Sequence, residues 1–139
     1  MTEADVLTMA QSQRGWSAPQ AETAVRAIMQ TGKWSLETLY LGFRAGFQCE
    51  YCDRLLLTSP DDYKLLEIDH IIPGEGDHPD NLALACLQCN FKFKSRWHPP
   101  AQIKAASRDV LVTEVRRVVH EQRGKTTAEL DDLRQILSA

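Results

Sequence analysis

At 139 residues, 43% of them apolar and 25% charged, the chain has the composition of one soluble globular domain with extensions, too short for two large cores. No apolar run approaches the ~18 residues a membrane span needs, and the first thirty residues lack the apolar centre of a secretory leader. Both features predict a cytoplasmic protein that makes no membrane contact. The formal charge of −3 is the wrong sign for a protein that grips nucleic acid unaided. That charge is uneven: residues 1–48 balance at zero, residues 49–98 carry −4 and residues 99–139 carry +1.

Residues 3–13 hold Val6, Leu7 and Met9, a weak pattern for a first helix. A clearer one follows. Ser17 with Gln20 three residues on has capping-box spacing, Pro19 sits in the first turn, and Ala21, Ala24, Val25 and Ile28 fall on one helical face before Gly32. Ser35 caps a third helix, with Leu36, Leu39, Tyr40 and Phe43 inward and Gly46 at its end. These stripes read as core packing, and residues 1–46 form an N-terminal helical shoulder.

From Phe47 the texture changes. Segments around 47–48, 55–58 and 66–70 have strand character, Ser59-Pro60-Asp61-Asp62 reads as a turn, and Pro73-Gly74-Glu75-Gly76 as a flexible loop. A helix is predicted from near Cys86 to about Ser95, since Pro99-Pro100 forbids continuation. Residues 101–123 carry a long helical pattern with Ile103, Val110, Leu111, Val115, Val118 and Val119 mostly on one stripe. Gly124 stops it, and Thr126-x-x-Glu129 caps a last helix with Leu130, Leu133, Ile136 and Leu137 inward. The boundaries are thus a shoulder at 1–46, a core at 47–98 and a helical extension at 99–139.

The chemistry lies between residues 49 and 94. Two Cys-x2-Cys pairs, Cys49/Cys52 and Cys86/Cys89, are separated by 33 residues. Four thiolates from two tight turns offer tetrahedral soft ligation, which suits a structural Zn2+. Disulfides do not fit a cytosolic chain, and a redox pair would open a helix in a βαβ setting that is absent here.

Asp69-His70 needs a separate account. Adjacent residues on a strand point to opposite faces, so the two are not equivalent ligands unless the strand bends or ends, as Pro73 suggests it does. An Asp oxygen is a hard ligand for Mg2+ or Mn2+, and a neutral imidazole takes a proton from water near neutral pH. Asn90 is placed to add an amide oxygen to the same cation. Asn81 is suited to bracing the loop and orienting the imidazole through its carbonyl. Each of these alone also reads as a surface pair, turn residue or cap.

The stretch resembles the HNH endonuclease family in Cys49-x2-Cys52, Asp69-His70-Ile71-Ile72-Pro73, Gly74 and Gly76, Asn81-Leu82 and Cys86-x2-Cys89-Asn90. It departs where the basic residue usual three after the Asn is Phe93, flanked by Lys92 and Lys94. The resemblance covers about a third of the chain. It implies an α+β fold, a small ββα-metal core stapled by zinc and flanked here by N- and C-terminal helices. It also implies a metal-dependent hydrolase of DNA phosphodiester bonds, with His70 as general base. Asp69 and Asn90 would hold one catalytic Mg2+ or Mn2+, and Asn81 would fix the His70 ring. Lys92, Lys94 and Arg96 would contact backbone phosphates, which position a duplex without reading its sequence. Glu75, Asp77 and His78 read as solvated loop residues, and His98 as a helix-end residue. A phage or host-defence role suits a small protein of this family.

The acidic balance leaves little charge to neutralise phosphates. A nuclease of this kind is therefore expected to work with a protein partner or as a homo-oligomer, docked through the helical flanks. The rival expectation is a non-catalytic zinc-stapled module that binds nucleic acid or protein.

Overall fold

A computed structural model describes residues 1–139, an α+β arrangement of five helices and one two-stranded sheet. The first three helices form the shoulder: α1 (Glu3–Arg14), α2 (Ala18–Gln30) and α3 (Leu36–Ala45). Local chemistry sets their ends. Thr2 and Asp5 exchange bonds in one capping box and Ser17 and Gln20 in another, while Ser35 caps α3 through the Thr38 N–H. Their apolar faces meet in a cluster of Val6, Ala10, Ala21, Val25, Leu39, Phe43 and Phe47. A Cβ at position 42 would come within 2.5 Å of the Phe47 ring, so Gly42 is what lets that ring lie on α3.

The second cluster is built around the sheet. Strands β1 (Leu66–His70) and β2 (Leu82–Cys86) pair antiparallel, with Leu66 opposite Cys86 and His70 opposite Leu82. Every residue of β2 is buried, and Ile71, Ile72, Leu84 and Tyr51 join three of the cysteines in the cluster.

Four expectations are corrected here. The strand character near residues 47–48 and 55–58 amounts to one isolated bridge, Gln48 to Leu55, flanking the first cysteine turn. Ser59-Pro60-Asp61-Asp62 is no mere turn: Ser59 caps a short helix, α4 (Pro60–Lys64), by accepting from the Asp62 N–H. The partner of β1 is β2, which ends on Cys86, the first cysteine of the second pair. The helix expected after Cys86 is a π-helical segment at Cys89–Lys94, ended by Ser95 at φ +46°.

The C-terminal pattern is a single helix. α5 (Arg108–Leu137) starts at the Ser107 cap, later than expected, and runs through Gly124 for 30 residues. The Thr126 hydroxyl, expected to cap a new helix, bonds back to the Gln122 carbonyl at 3.4 Å. Leu111, Val115 and Val119 bury the first half of α5 against the sheet cluster. No helix is long and apolar enough to cross a membrane.

A polar knot joins shoulder, sheet and α5. Glu50 accepts from the Leu84 N–H at 2.7 Å and from Arg108 at 2.6 Å, and Arg44 and Arg108 both donate to the Leu82 carbonyl. Burial, with repulsion from Arg108, lowers the Arg44 pKa. A charged pair this enclosed holds only while each partner is present.

Candidate metal centre and catalytic cleft

The four cysteines converge. One sulfur from each lies within 4.8 Å of the others, and Cys49, Cys86 and Cys89 are buried. A tetrahedral zinc with Zn–S bonds of about 2.3 Å sets sulfurs roughly 3.8 Å apart. Cys52 Sγ and Cys86 Sγ stand at 3.8 Å. Hydrogen bonds with Cys49 pull Cys52 and Cys86 down, while bonds with Cys52 and Cys49 hold Cys49 and Cys89, respectively, up. A cation between the sulfurs would take the place of the shared protons. The donor set is that of a structural metal, and zinc fits it.

Sequence reasoning gave this centre no counterion, and the structure supplies one. Arg123 of α5 lies 3.3 Å from Cys89 Sγ and 3.8 Å from Cys86 Sγ, with its guanidinium 4.3 Å from the Phe93 ring centroid. Burial opposes the Arg123 charge, but the surrounding sulfurs outweigh it and its pKa is raised. Arg116 adds a second strap from α5, clasping both Asp53 oxygens at 3.0 and 2.8 Å and donating to the Glu50 carbonyl.

At the far end of the hairpin, Asp69, His70, Asp77, Asn90 and Lys94 line one open cleft of about 540 Å³. The β1 ladder stays intact through His70, so Asp69 and His70 do point to opposite faces, and both still border the cleft. Asp69 is buried. Its Oδ2 accepts from the Tyr51 hydroxyl at 2.6 Å and faces Lys94 Nζ at 3.1 Å, while Oδ1 lies 3.4 Å from the same ammonium. Burial, reinforced by the Asp69 charge, pushes the Tyr51 phenol well above its usual value and keeps it a donor.

His70 is half-exposed, and its Nε2 lies 2.6 Å from Asp77 Oδ1. Asp77 is therefore a partner of the imidazole rather than a free loop acid. Asn81 does brace the loop: its amide donates to the Ile72 and Gly76 carbonyls, and its Oδ1 accepts from the Ile72 N–H at 2.9 Å. Those bonds engage the Asn81 amide with the loop backbone, and the bond to the ring comes from Asp77 instead.

The three basic residues divide. Lys92 and Arg96 are exposed, as a phosphate contact requires. Lys94 is 4% exposed and bound to Asp69 and the His70 carbonyl, so it is not a free phosphate contact. The π-helix explains why. A π-turn takes more residues than an α-turn, so the residue four after Asn90 swings to where a residue three on would sit in an α-helix. Lys94 thus occupies the side of the turn that an α-helix would give to Phe93.

The family model described as HNH endonuclease matches residues 49–96, the span from the first cysteine through the exposed Arg96. No curated protein and no solved structure matches the chain. Residues 49–96 are similar to an HNH endonuclease domain, and their four cysteines are placed to bind a metal.

Proposed function

We propose that the chain is a metal-dependent endonuclease that hydrolyses DNA phosphodiester bonds in the cleft at the end of the β1–β2 hairpin. The observation that carries this reading is the half-exposed His70 ring, held on one nitrogen by Asp77, in the same cleft as Asp69 and Asn90. With Nε2 donating to Asp77, Nδ1 would keep a lone pair to take a proton from water.

Asp69 and Asn90 would hold the catalytic Mg2+ or Mn2+. A carboxylate has about four acceptor sites, of which the phenol and the ammonium use three, leaving roughly one for a cation otherwise ringed by water and phosphate oxygens. When bound, that cation would offset charge gathering on the phosphate and the leaving oxygen. The chain's own groups supply the base, its orientation and a fixed carboxylate. Lys92 and Arg96 would steady the backbone beside the cleft.

A second reading has one observation in its favour. The Lys94 ammonium already balances the Asp69 charge, as it would in a zinc-stapled module that binds nucleic acid or protein without cutting it. Supercoiled-plasmid cleavage across a panel of divalent metals separates the two. Wild-type protein nicks or linearises plasmid with Mg2+ or Mn2+, and His70→Ala does not, although it retains its zinc and its helicity. No cleavage by wild type with any metal, or equal cleavage by the variant, removes the nuclease reading. A partner or self-association completes the picture, because a chain of net charge −3 neutralises few phosphates by itself.

A further inference from the structure

The last fourteen residues of α5 are all exposed. Beyond Arg123 every hydrogen bond and ion pair of the helix is internal, as in Thr126 to Gln122 and Arg134 to Asp131. Yet Leu130, Leu133, Ile136 and Leu137 are 44, 54, 70 and 82% exposed. At about 3.6 residues per turn, Thr126, Leu130, Leu133 and Leu137 fall within about 40° of the line through Val119. The exposed stripe therefore continues the face that α5 buries on the metal-bearing core.

We propose that this distal stretch pairs antiparallel with the same stretch of a second copy of the chain. The core dictates the direction. It covers the near half of the stripe, so a parallel partner would bring its own core into space already filled. An antiparallel partner sets its core past Leu137, where the first helix has ended.

Spacing and charge agree with that choice. The four stripe positions follow the 4-3-4 spacing of a coiled-coil seam. In the one antiparallel phase that uses all four, Thr126 lies opposite Leu137 of the other copy and Leu130 opposite its Leu133. Glu129 then flanks Ile136 of the other copy and Arg134 flanks its Thr127, so no like charges meet. Asp131, Asp132 and Gln135 stay outside. At ~100 Å² for each of eight apolar side chains, with the flanking residues added, the contact approaches about 1,200 Å², the lower end for a stable interface. A dimer that dissociates at micromolar concentration is expected.

This deepens the self-association named above and would give the assembly two clefts, but the pairing is read without any cleavage assay. Sedimentation velocity on the full chain, from submicromolar to submillimolar, shows a monomer–dimer equilibrium. Leu130→Asp with Leu133→Asp raises the dissociation constant by roughly 100-fold or more while zinc content and helicity hold. Thr126→Cys mixed with Leu137→Cys gives an oxidised dimer that neither variant gives alone. A wild-type monomer throughout, a double variant that dimerises unchanged, or cross-linking within either cysteine variant alone overturns the proposal. A plasmid assay that fails leaves each of these outcomes unaltered, and a monomer leaves the nuclease reading unaltered.

Discussion

The Lys94 ammonium lies 3.1 Å from the Asp69 carboxylate, with the two side chains only 2 and 7% exposed. A charge so enclosed is stabilised by its partner and is costly once alone. Lys94→Met, which keeps the apolar stem, should destabilise the fold by about 3 kcal/mol in urea unfolding, since it leaves Asp69 buried with only the Tyr51 phenol. Combining it with Asp69→Asn should cost at least ~1 kcal/mol less than the sum of the single effects. Additive losses would mean the two groups do not interact as their distance implies.

The guanidinium of Arg123, on α5, lies within hydrogen-bonding reach of two sulfurs of the thiol cluster. Partners of this kind orient ligands and offset their charge, and losing one commonly costs 10- to 100-fold, approximately, in metal affinity. Arg123→Gln should weaken zinc binding by about that factor in competition with a chromophoric chelator. Stripping the metal from wild type should unfold the sheet cluster, which has three of the four cysteines among its members. Unchanged affinity in the variant, with α5 still helical, would reduce Arg123 to a packing residue.

Gly124 sits inside α5, and a Cβ there would meet no atom within 4 Å. Gly124→Ala should therefore raise stability by up to about 1 kcal/mol, through lower backbone entropy in the unfolded chain. Helicity should hold or rise in circular dichroism. If the helix instead broke at this point, the substitution would bring no gain and the melt would show it.

The same glycine shows where reading a sequence stops. Ser17 with Gln20 and Ser35 announce helix starts because caps act within four residues, and the structure uses them as expected. Thr126-x-x-Glu129 has the same look, but a glycine costs a helix only about 1 kcal/mol, and good helix formers on both sides carry it across. Strand β2 was unreadable for a different reason. Leu-Ala-Leu-Ala-Cys is buried on both faces, so it lacks the polar alternation that marks a half-exposed strand.

The cleft divides in a similar way. Residue type and spacing pointed to Asp69, His70 and Asn90, and all three line one cavity. Asp77 was passed over because only the folded loop brings it back across seven positions to the imidazole. The burial of Lys94 is invisible in the sequence because a π-turn leaves no mark in composition. The knot of Glu50, Arg44 and Arg108 joins residues up to 64 positions apart, Arg44 and Arg108, and has no local signature at all.

The antiparallel register has a practical result. Cys86 pairs with Leu66 and His70 with Leu82, so the Cys86 thiolate and the imidazole stand at opposite ends of five rungs, ~13 Å apart along the strand. None of the cysteines borders the cleft. The sulfur cage can therefore take a coloured ion such as cobalt and report by its spectrum whether the hairpin is intact, with no sulfur in the cleft that His70 borders.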